Sequence, residues 1–320
     1  MCLKCQSLIE AIDRYLQKAD DDLEEELEDS GRVSPKETVD AINEIEEAIT
    51  SALTSETEYF IKKIKKKKTI SEVLDVLDEI KANDTYCDEI RKVVSEKLHK
   101  LVPKLVKQYV AVVDSEIEIT SISKKAYDCI DSWSSELADI MKLNSHKAIE
   151  KILKEGLDVG SSIPDVALEI KNSGIRNEYY RARSTAVTEI LNAHNMAKQE
   201  AAMQNPCITY KLWRHTGAHK NQPRENHVEM DGQKVPVDEP YILAGADGSI
   251  YYPMYPTDAI LPPEERINCH CLSQDIVDDD ILGLSLEERQ ELQRKALEEM
   301  DDEWERELDA QNKAKAGIDL

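Results

Sequence analysis

The sequence is poor in the residues that compact enzymes and secreted modules depend on. Its 320 residues include one phenylalanine, Phe60, ten glycines and three tryptophans, while 33% of the chain is charged. So little aromatic bulk beside so much charge disfavours a compact α/β enzyme and favours long, solvent-rich helices. No run of about eighteen apolar residues occurs, so no membrane-spanning helix and no membrane partner are expected. The N-terminus, MCLKCQSLIEAIDRY, lacks a charged segment followed by an apolar core and a small-residue cleavage site, so no secretory leader is expected either. Cysteine is sparse and odd in number, at 2, 5, 87, 129, 207, 269 and 271, which makes no disulfide framework and points to a reducing cytoplasm as the site of synthesis. Positive charge is short as well. With 41 basic against 65 acidic residues the net charge is -24, and any contact with nucleic acid has to be local. Gly-rich phosphate loops, a serine elbow and HExxH spacing are all missing, so the expectation is a protein that is not an enzyme.

What is present, for about two hundred residues, is helix after helix. Residues 3–27 have helical spacing and end in the acidic run Asp20 to Asp29, read as a solvated face. Cys2 and Cys5 make half of a zinc knuckle with no second half nearby. Ser34-Pro35-Lys36-Glu37 combines an N-cap, a first-turn proline and a capping glutamate, and Val39, Ile42, Ile45, Ile49, Leu53 and Phe60 stripe the helix that follows. That helix ends in Lys62, Lys63, Lys65, Lys66, Lys67 and Lys68, which either complement the negative end of the helix dipole or meet a phosphate backbone or acidic partner. Thr69 to Glu72 is a capping box, Asn83-Asp84-Thr85 caps a longer helix carrying a kinking Pro103, and further helices are predicted over 122–143, 145–155, 163–174 and 178–204. In the last of these, Tyr179, Ala182, Ala186, Ile190, Ala193, Ala197 and Ala201 form a small-residue stripe. Glu189, Asn192 and Asn195 share a face with one another, and Arg183 lies beside the stripe.

The pattern changes at Trp213 to Cys271. Every histidine and cysteine after residue 208 falls here: His215, His219, His227, Cys269, His270 and Cys271. Residues 207–213 read as a strand, Asp231-Gly232 as a tight hairpin between 227–230 and 233–235, and Asp247-Gly248 as a second turn, giving a β-rich module of about three to five strands. Cys269 and Cys271, if extended, point to one face and can hold a zinc ion with imidazoles of His215, His219 and His227. The other reading is a hydrogen-bonded loop cluster in which reduced cysteines are ordinary buried residues. His215, His219 and His227 with Glu225 or Glu229 also offer the bases and ligands of a metal-dependent nuclease or other effector enzyme. Beyond the module, a capping box at Ser285 to Glu288 opens a C-terminal helix striped by Leu292, Ala296, Met300, Trp304 and Leu308, a stripe that needs a partner. Residues 275–320 carry net negative charge and are not expected to lie on DNA.

Taken in order, RARSTAVTEILNAHNMA at 181–197, Trp213, His215-Thr216-Gly217, Pro223-Arg224-Glu225-Asn226-His227, Asp231-Gly232, Tyr255-Pro256-Thr257-Asp258 and Ile267-Asn268-Cys269 resemble the tailed-phage minor head, or head-morphogenesis, proteins of the phage Mu F-like type. The family usually shows Asn-Cys-Arg-Cys where this chain has Asn268-Cys269-His270-Cys271. The resemblance implies a structural protein in few copies inside the capsid, made in a bacterial host. Its implied partners are the portal protein and other head components, with phage DNA by local contact, in head assembly and DNA packaging or delivery. Arg183, Glu189, Asn192, Trp213, Thr216, Arg224, His227, Asp231, Gly232, Pro256, Asp258, Asn268, Cys269 and Cys271 are then expected to fix loop geometry. The expected architecture is α+β: a helical N-terminal region over 1–160, the module with its leading helices over 161–277, and an acidic C-terminal helix over 278–320.

Overall fold

The computed structural model describes residues 20–82, 85–159, 161–216 and 223–315, without side chains at 85–87, 133–149, 157, 170–181 and 311–315. The Cys2/Cys5 pair, residues 3–19, Asn83, Asp84, Gly217 and His219, and the Tyr179 side chain, lie outside what is described. The protein is α+β. A helical stretch over 20–29 precedes α1 (Pro35–Ile64), α2 (Ile70–Ala82), α3 (Thr85–Val113), α4 (Lys124–Val159) and α5 (Ile163–Gln204). Then come β1 (Ile208–Arg214), α6 (Glu225–Glu229), β2 (Lys234–Pro236), β3 (Leu243–Ala244), β4 (Ile250–Tyr251), α7 (Pro263–Arg266), β5 (Leu272–Val277), α8 (Asp279–Leu282) and α9 (Leu286–Lys315). Among the described residues no helix is long and apolar enough to cross a membrane.

The chain forms two compact units. One comprises residues 44–101, 122–189 and 300–320, the other 1–43, 102–121 and 190–299. In the first, Phe60 and Ile64 of α1 pack with Val73, Val76, Leu77 and Ile80 of α2, Ile152 and Leu153 of α4, and Val166 and Ala167 of α5. The box opening α2 is formed as the sequence predicts: Glu72 accepts from the Lys68 and Thr69 amides at 2.7 and 3.2 Å, and the Glu72 amide donates to Thr69 Oγ1 at 3.3 Å. Gly156 allows a close approach, since a Cβ there would stand 2.7 Å from Val166 Cγ2.

In the second unit β1 is the centre of an antiparallel sheet of order β2-β1-β5. A register irregularity between Ile208 and Tyr210 puts Lys211 and Trp213, two apart, on the buried face. Beyond residue 190, α5 is buried on nearly every side. Arg289 holds the start of α9 by donating from Nε to Asp114 Oδ2 at 2.8 Å and from Nη1 to the Leu282 carbonyl at 3.2 Å.

Two expectations need correction. The helices predicted over 163–174 and 178–204 are the single α5, and those over 122–143 and 145–155 are the single α4. A lone glycine such as Gly174 costs a helix about 1 kcal/mol, and without a proline that does not break the ladder. Residues 227–230 do not enter a hairpin with 233–235: 225–229 are helical, and β2 pairs instead with β1, Leu212 opposite Lys234. Gly232 still makes the turn, with φ +85° and its amide on the Trp213 carbonyl at 2.9 Å. The stripe of α9, which the sequence leaves in need of a partner, is exposed at Leu292 and Leu308, by 37% and 39%.

Candidate functional site

The His/Cys cluster is assembled by the β1/β5 ladder and two short helices. Pairing of Arg214 with Leu272 and Trp213 with Ser273 sets the residue after β1, His215, beside the residue before β5, Cys271. Cys269 comes in from a turn closed by its own amide donating to the Arg266 carbonyl at 3.1 Å, with Asn268 in the left-handed region at φ +56°. His227 comes from α6.

Within this frame His227 Nδ1 lies 3.5 Å from Cys269 Sγ and 3.7 Å from Cys271 Sγ, while His215 Nδ1 lies 3.6 Å from Cys271 Sγ. The donor atoms of His227, Cys269 and Cys271 all fall within 4.8 Å of one another. The far nitrogen of His227, Nε2, is 2.9 Å from Glu265 Oε2. That carboxylate is fixed in turn by the Ala246 amide at 2.9 Å and by Asn226 Nδ2 at 3.1 Å to each oxygen. Trp213 stands edge-on to both His227 and Tyr241, with centroids 5.7 and 5.3 Å away. Its buried indole N–H has no hydrogen-bond partner among the described residues. Arg32 Nη2 donates to the His270 carbonyl at 2.9 Å and the Cys271 carbonyl at 3.4 Å, fixing the backbone between the two cysteines.

The electrostatics follow from these contacts. The Cys271 thiol donates to Cys269, which together with the His227 bond holds Cys269 well below the usual thiol range, against the burial penalty. Cys271, left holding the proton, is held well above it. Burial alone lowers the His227 pKa, but the bond to the Cys269 sulfur and its charge outweigh that and raise it. Burial likewise works against ionised Glu265, and the Ala246 amide, Asn226 and His227 outweigh it to leave that carboxyl lowered.

The remaining expected positions divide. Asn195 Nδ2 is shared among the Pro256 carbonyl at 2.8 Å, Thr257 Oγ1 at 3.1 Å and the Cys271 carbonyl at 3.1 Å, and Asn192 Oδ1 accepts from Thr257 Oγ1 at 3.1 Å. Thr216 donates to the His270 carbonyl at 3.1 Å, Arg224 to the Ile267 carbonyl at 2.6 Å, and Asp231 accepts from the His215 amide at 3.0 Å. Asp258 accepts from the Met254 and Ile260 amides at 2.8 and 3.2 Å. All of these order the loops around the cluster. Arg183 and buried Glu189 belong to the other compact unit, where Arg183 pairs with Glu46 at 2.9 Å. His219 is outside the described residues. Of the lysine run, Lys63 pairs with Glu79 at 3.3 Å, while Lys65, Lys67 and Lys68 line a cleft of about 760 Å³ with Ile70, Ser162 and Pro164.

Glu265, Arg32 and Asn226 are the partners that sequence reading does not assign. Glu265 carries a faint signal, a glutamate in the first turn after Pro262-Pro263, but nothing local ties it to a histidine 38 residues earlier. Arg32 carries none.

Comparison with known proteins adds three findings. The family described as Phage Mu protein F like protein matches residues 147–273. The uncharacterized protein YqbB of Bacillus subtilis (strain 168) is 33% identical over 310 residues, covering 93% of this chain and 99% of that protein. No solved structure matches the chain.

Proposed function

From the premise that the chain belongs to the phage Mu protein F-like family, we propose that it is a minor protein of the tailed-phage head, located in the virion, which docks on the portal and assists head assembly and DNA packaging or delivery. The observation that carries the reading is that the family match contains the whole cluster-bearing part of the module, Trp213 to Cys271. The half-open apolar stripe of α9 supports a protein partner: Leu292 and Leu308 are exposed on an acidic helix that DNA would repel.

Co-expression with the portal protein of the same phage tests this. The full chain is expected to co-purify with portal, and Leu292→Asp combined with Leu308→Asp is expected to weaken the association at least about tenfold, the cost of withdrawing two leucine side chains from an interface. If the unsubstituted chain fails to co-purify, portal docking is wrong. Mass spectrometry of purified heads then decides separately whether the chain is a head protein at all.

A DNA contact, if the chain makes one, is assigned to Lys65, Lys67 and Lys68. Their joint replacement by glutamate is expected to reduce the slope of log K against log salt by about 0.9 for each phosphate that is no longer neutralised. An unchanged slope removes these lysines from any DNA-binding role.

A metal-dependent nuclease built on the same module is the competing reading. It requires an ion with an open position facing solvent. His227, Cys269 and Cys271 are 2%, 2% and 3% exposed, and the free nitrogen of His227 is occupied by a carboxylate. That burial favours a structural role for the cluster.

A further inference from the structure

We infer that His215, His227, Cys269 and Cys271 form a closed, four-ligand zinc site that clamps the end of β1, α6 and the turn leading into β5 to one another. The distances carry the argument. Around zinc, with Zn–S of about 2.3 Å and Zn–N of about 2.0–2.1 Å, a tetrahedron places each sulfur about 3.5–3.6 Å from each nitrogen. Three of the four sulfur–nitrogen separations are 3.5, 3.6 and 3.7 Å. The donor atoms mutually within 4.8 Å are those of His227, Cys269 and Cys271, and His215, which contacts Cys271, would move toward Cys269 as the fourth ligand when the ion binds.

Hydrogen bonding alone accounts less well for the same geometry. Glu265 accepts from His227 Nε2, and Nδ1 faces two sulfurs at once, at 3.5 and 3.7 Å. One N–H or one lone pair on Nδ1 serves one sulfur, and the second approach has no proton between its atoms. A single cation at the centre satisfies both sulfurs and both ring nitrogens together.

The surroundings are also those of a metal site. A histidine ligand ordinarily passes its other ring N–H to a carboxylate, which fixes the ring, and Glu265 is buried and held by two further donors to do this. The Trp213 indole N–H is buried beside the cluster without a hydrogen-bond partner among the described residues. All four proposed ligands come from within a β module whose apolar cluster has, among the described residues, seven buried members, two of them the cysteines themselves. A small core of that kind gains from a metal staple. With two thiolates and two imidazoles filling its coordination, the ion would be structural. Its presence does not depend on the head-protein reading, because the readout is metal content.

The test uses the full chain purified without chelator or metal-affinity resin. Elemental analysis is expected to give about one zinc per chain, falling below about 0.2 in the Cys269→Ser, Cys271→Ser double variant. Because that variant can fail to fold, a second measurement uses the unsubstituted chain: after zinc removal, added Co²⁺ is expected to produce the visible d–d absorption of a tetrahedral cobalt thiolate. The glutamate support is tested by Glu265→Gln, expected to lower affinity about 10–100-fold. Zinc below about 0.2 per chain together with no cobalt thiolate absorption overturns the site. A cobalt spectrum unaltered by His215→Ala overturns the four-ligand assignment.

Discussion

Replacing Trp213 by alanine is expected to destabilise the unit that contains it by about 3–5 kcal/mol, the range for truncating a fully buried large aromatic. Trp213 is fully buried and is the largest side chain in its cluster with Met230, Tyr241, Leu243, Leu261, Cys269 and Cys271. Two perpendicular aromatic contacts, to His227 and Tyr241, add about 0.5–1.5 kcal/mol each beyond area burial, so the upper part of the range is favoured. The backbone around it is equally committed: its amide donates to the Gln233 carbonyl and its carbonyl accepts from Gly232, so the strand cannot shift to fill the hole. Urea denaturation followed by circular dichroism measures the loss. Trp213→Phe keeps most of the ring and gives up no hydrogen bond to oxygen, and should cost well under half as much. A loss below about 1 kcal/mol for Trp213→Ala would mean that the module can repack around an absent centre, contrary to its packing here.

The legibility of this fold in its sequence follows the range of the interaction concerned. Capping is local, and the boxes at Thr69 to Glu72 and Ser285 to Glu288 are formed as their spacing predicts. The strand at 208–214 is legible from its β-branched and aromatic alternation. The turns at Gly232 and Gly248, both with positive φ, are legible too. What fails is any inference that one residue ends an element. Gly174 is a plausible stop only if nothing beyond it continues the helix, and the sequence on its far side does continue it. The Asp231-Gly232 dipeptide places its turn correctly but not the pairing that follows, since local turn chemistry does not say which strand β2 will join. β1 offers a whole edge, and residues 225–229 close into a helical turn instead.

At the cluster, the residue types His and Cys are legible, because zinc-like spacing at Cys269 and Cys271 is a local signal. Their supporting groups are not. Glu265 reaches His227 across 38 residues and Arg32 reaches Cys271 across 239, and no periodicity encodes separations of that kind. The polar residues buried on α5 have the same cause. The small-residue stripe is visible in the sequence, but Asn192, His194, Asn195, Gln199 and Gln204 are buried beside it, because loops from every side bring carbonyls and hydroxyls to meet them. His194 shows what this costs. Ringed by Thr38 and Tyr109 at 2.8 and 2.9 Å, it is kept neutral by burial, with its pKa pushed down to about 3.

Between about pH 7.5 and pH 9.5, Lys211 is expected to contribute stability that rises with pH. The strand register buries this lysine on the same face as Trp213; its ammonium donates to Gln199 Oε1 at 3.1 Å and the Met254 carbonyl at 2.8 Å, and lies 5.2 Å from the Tyr241 ring centre. Burial is the dominant influence and drives its pKa from 10.5 down to about 7, with Asp258 and Asp238 opposing the shift. Between those two values the unfolded chain binds a proton that the folded chain does not, so raising the pH removes a penalty on folding. The slope is at most about 1.4 kcal/mol per pH unit for one proton. Below about pH 7 both states are protonated and this contribution is constant. Above about pH 10 the sign reverses, because the Tyr109 phenol, pushed up to about 12 by burial, and Tyr241, also raised, ionise in the unfolded chain first. Lys211→Met keeps the length and removes the charge. It also leaves the Gln199 and Met254 oxygens without their donor, so the diagnostic is the slope and not the offset. The stability difference between wild type and variant, from urea denaturation at pH 7.5, 8.5 and 9.5, should shift in favour of wild type at each step. A difference that stays constant across the three would show that the buried lysine is already charged in the folded protein, held by the two oxygens and the two aspartates.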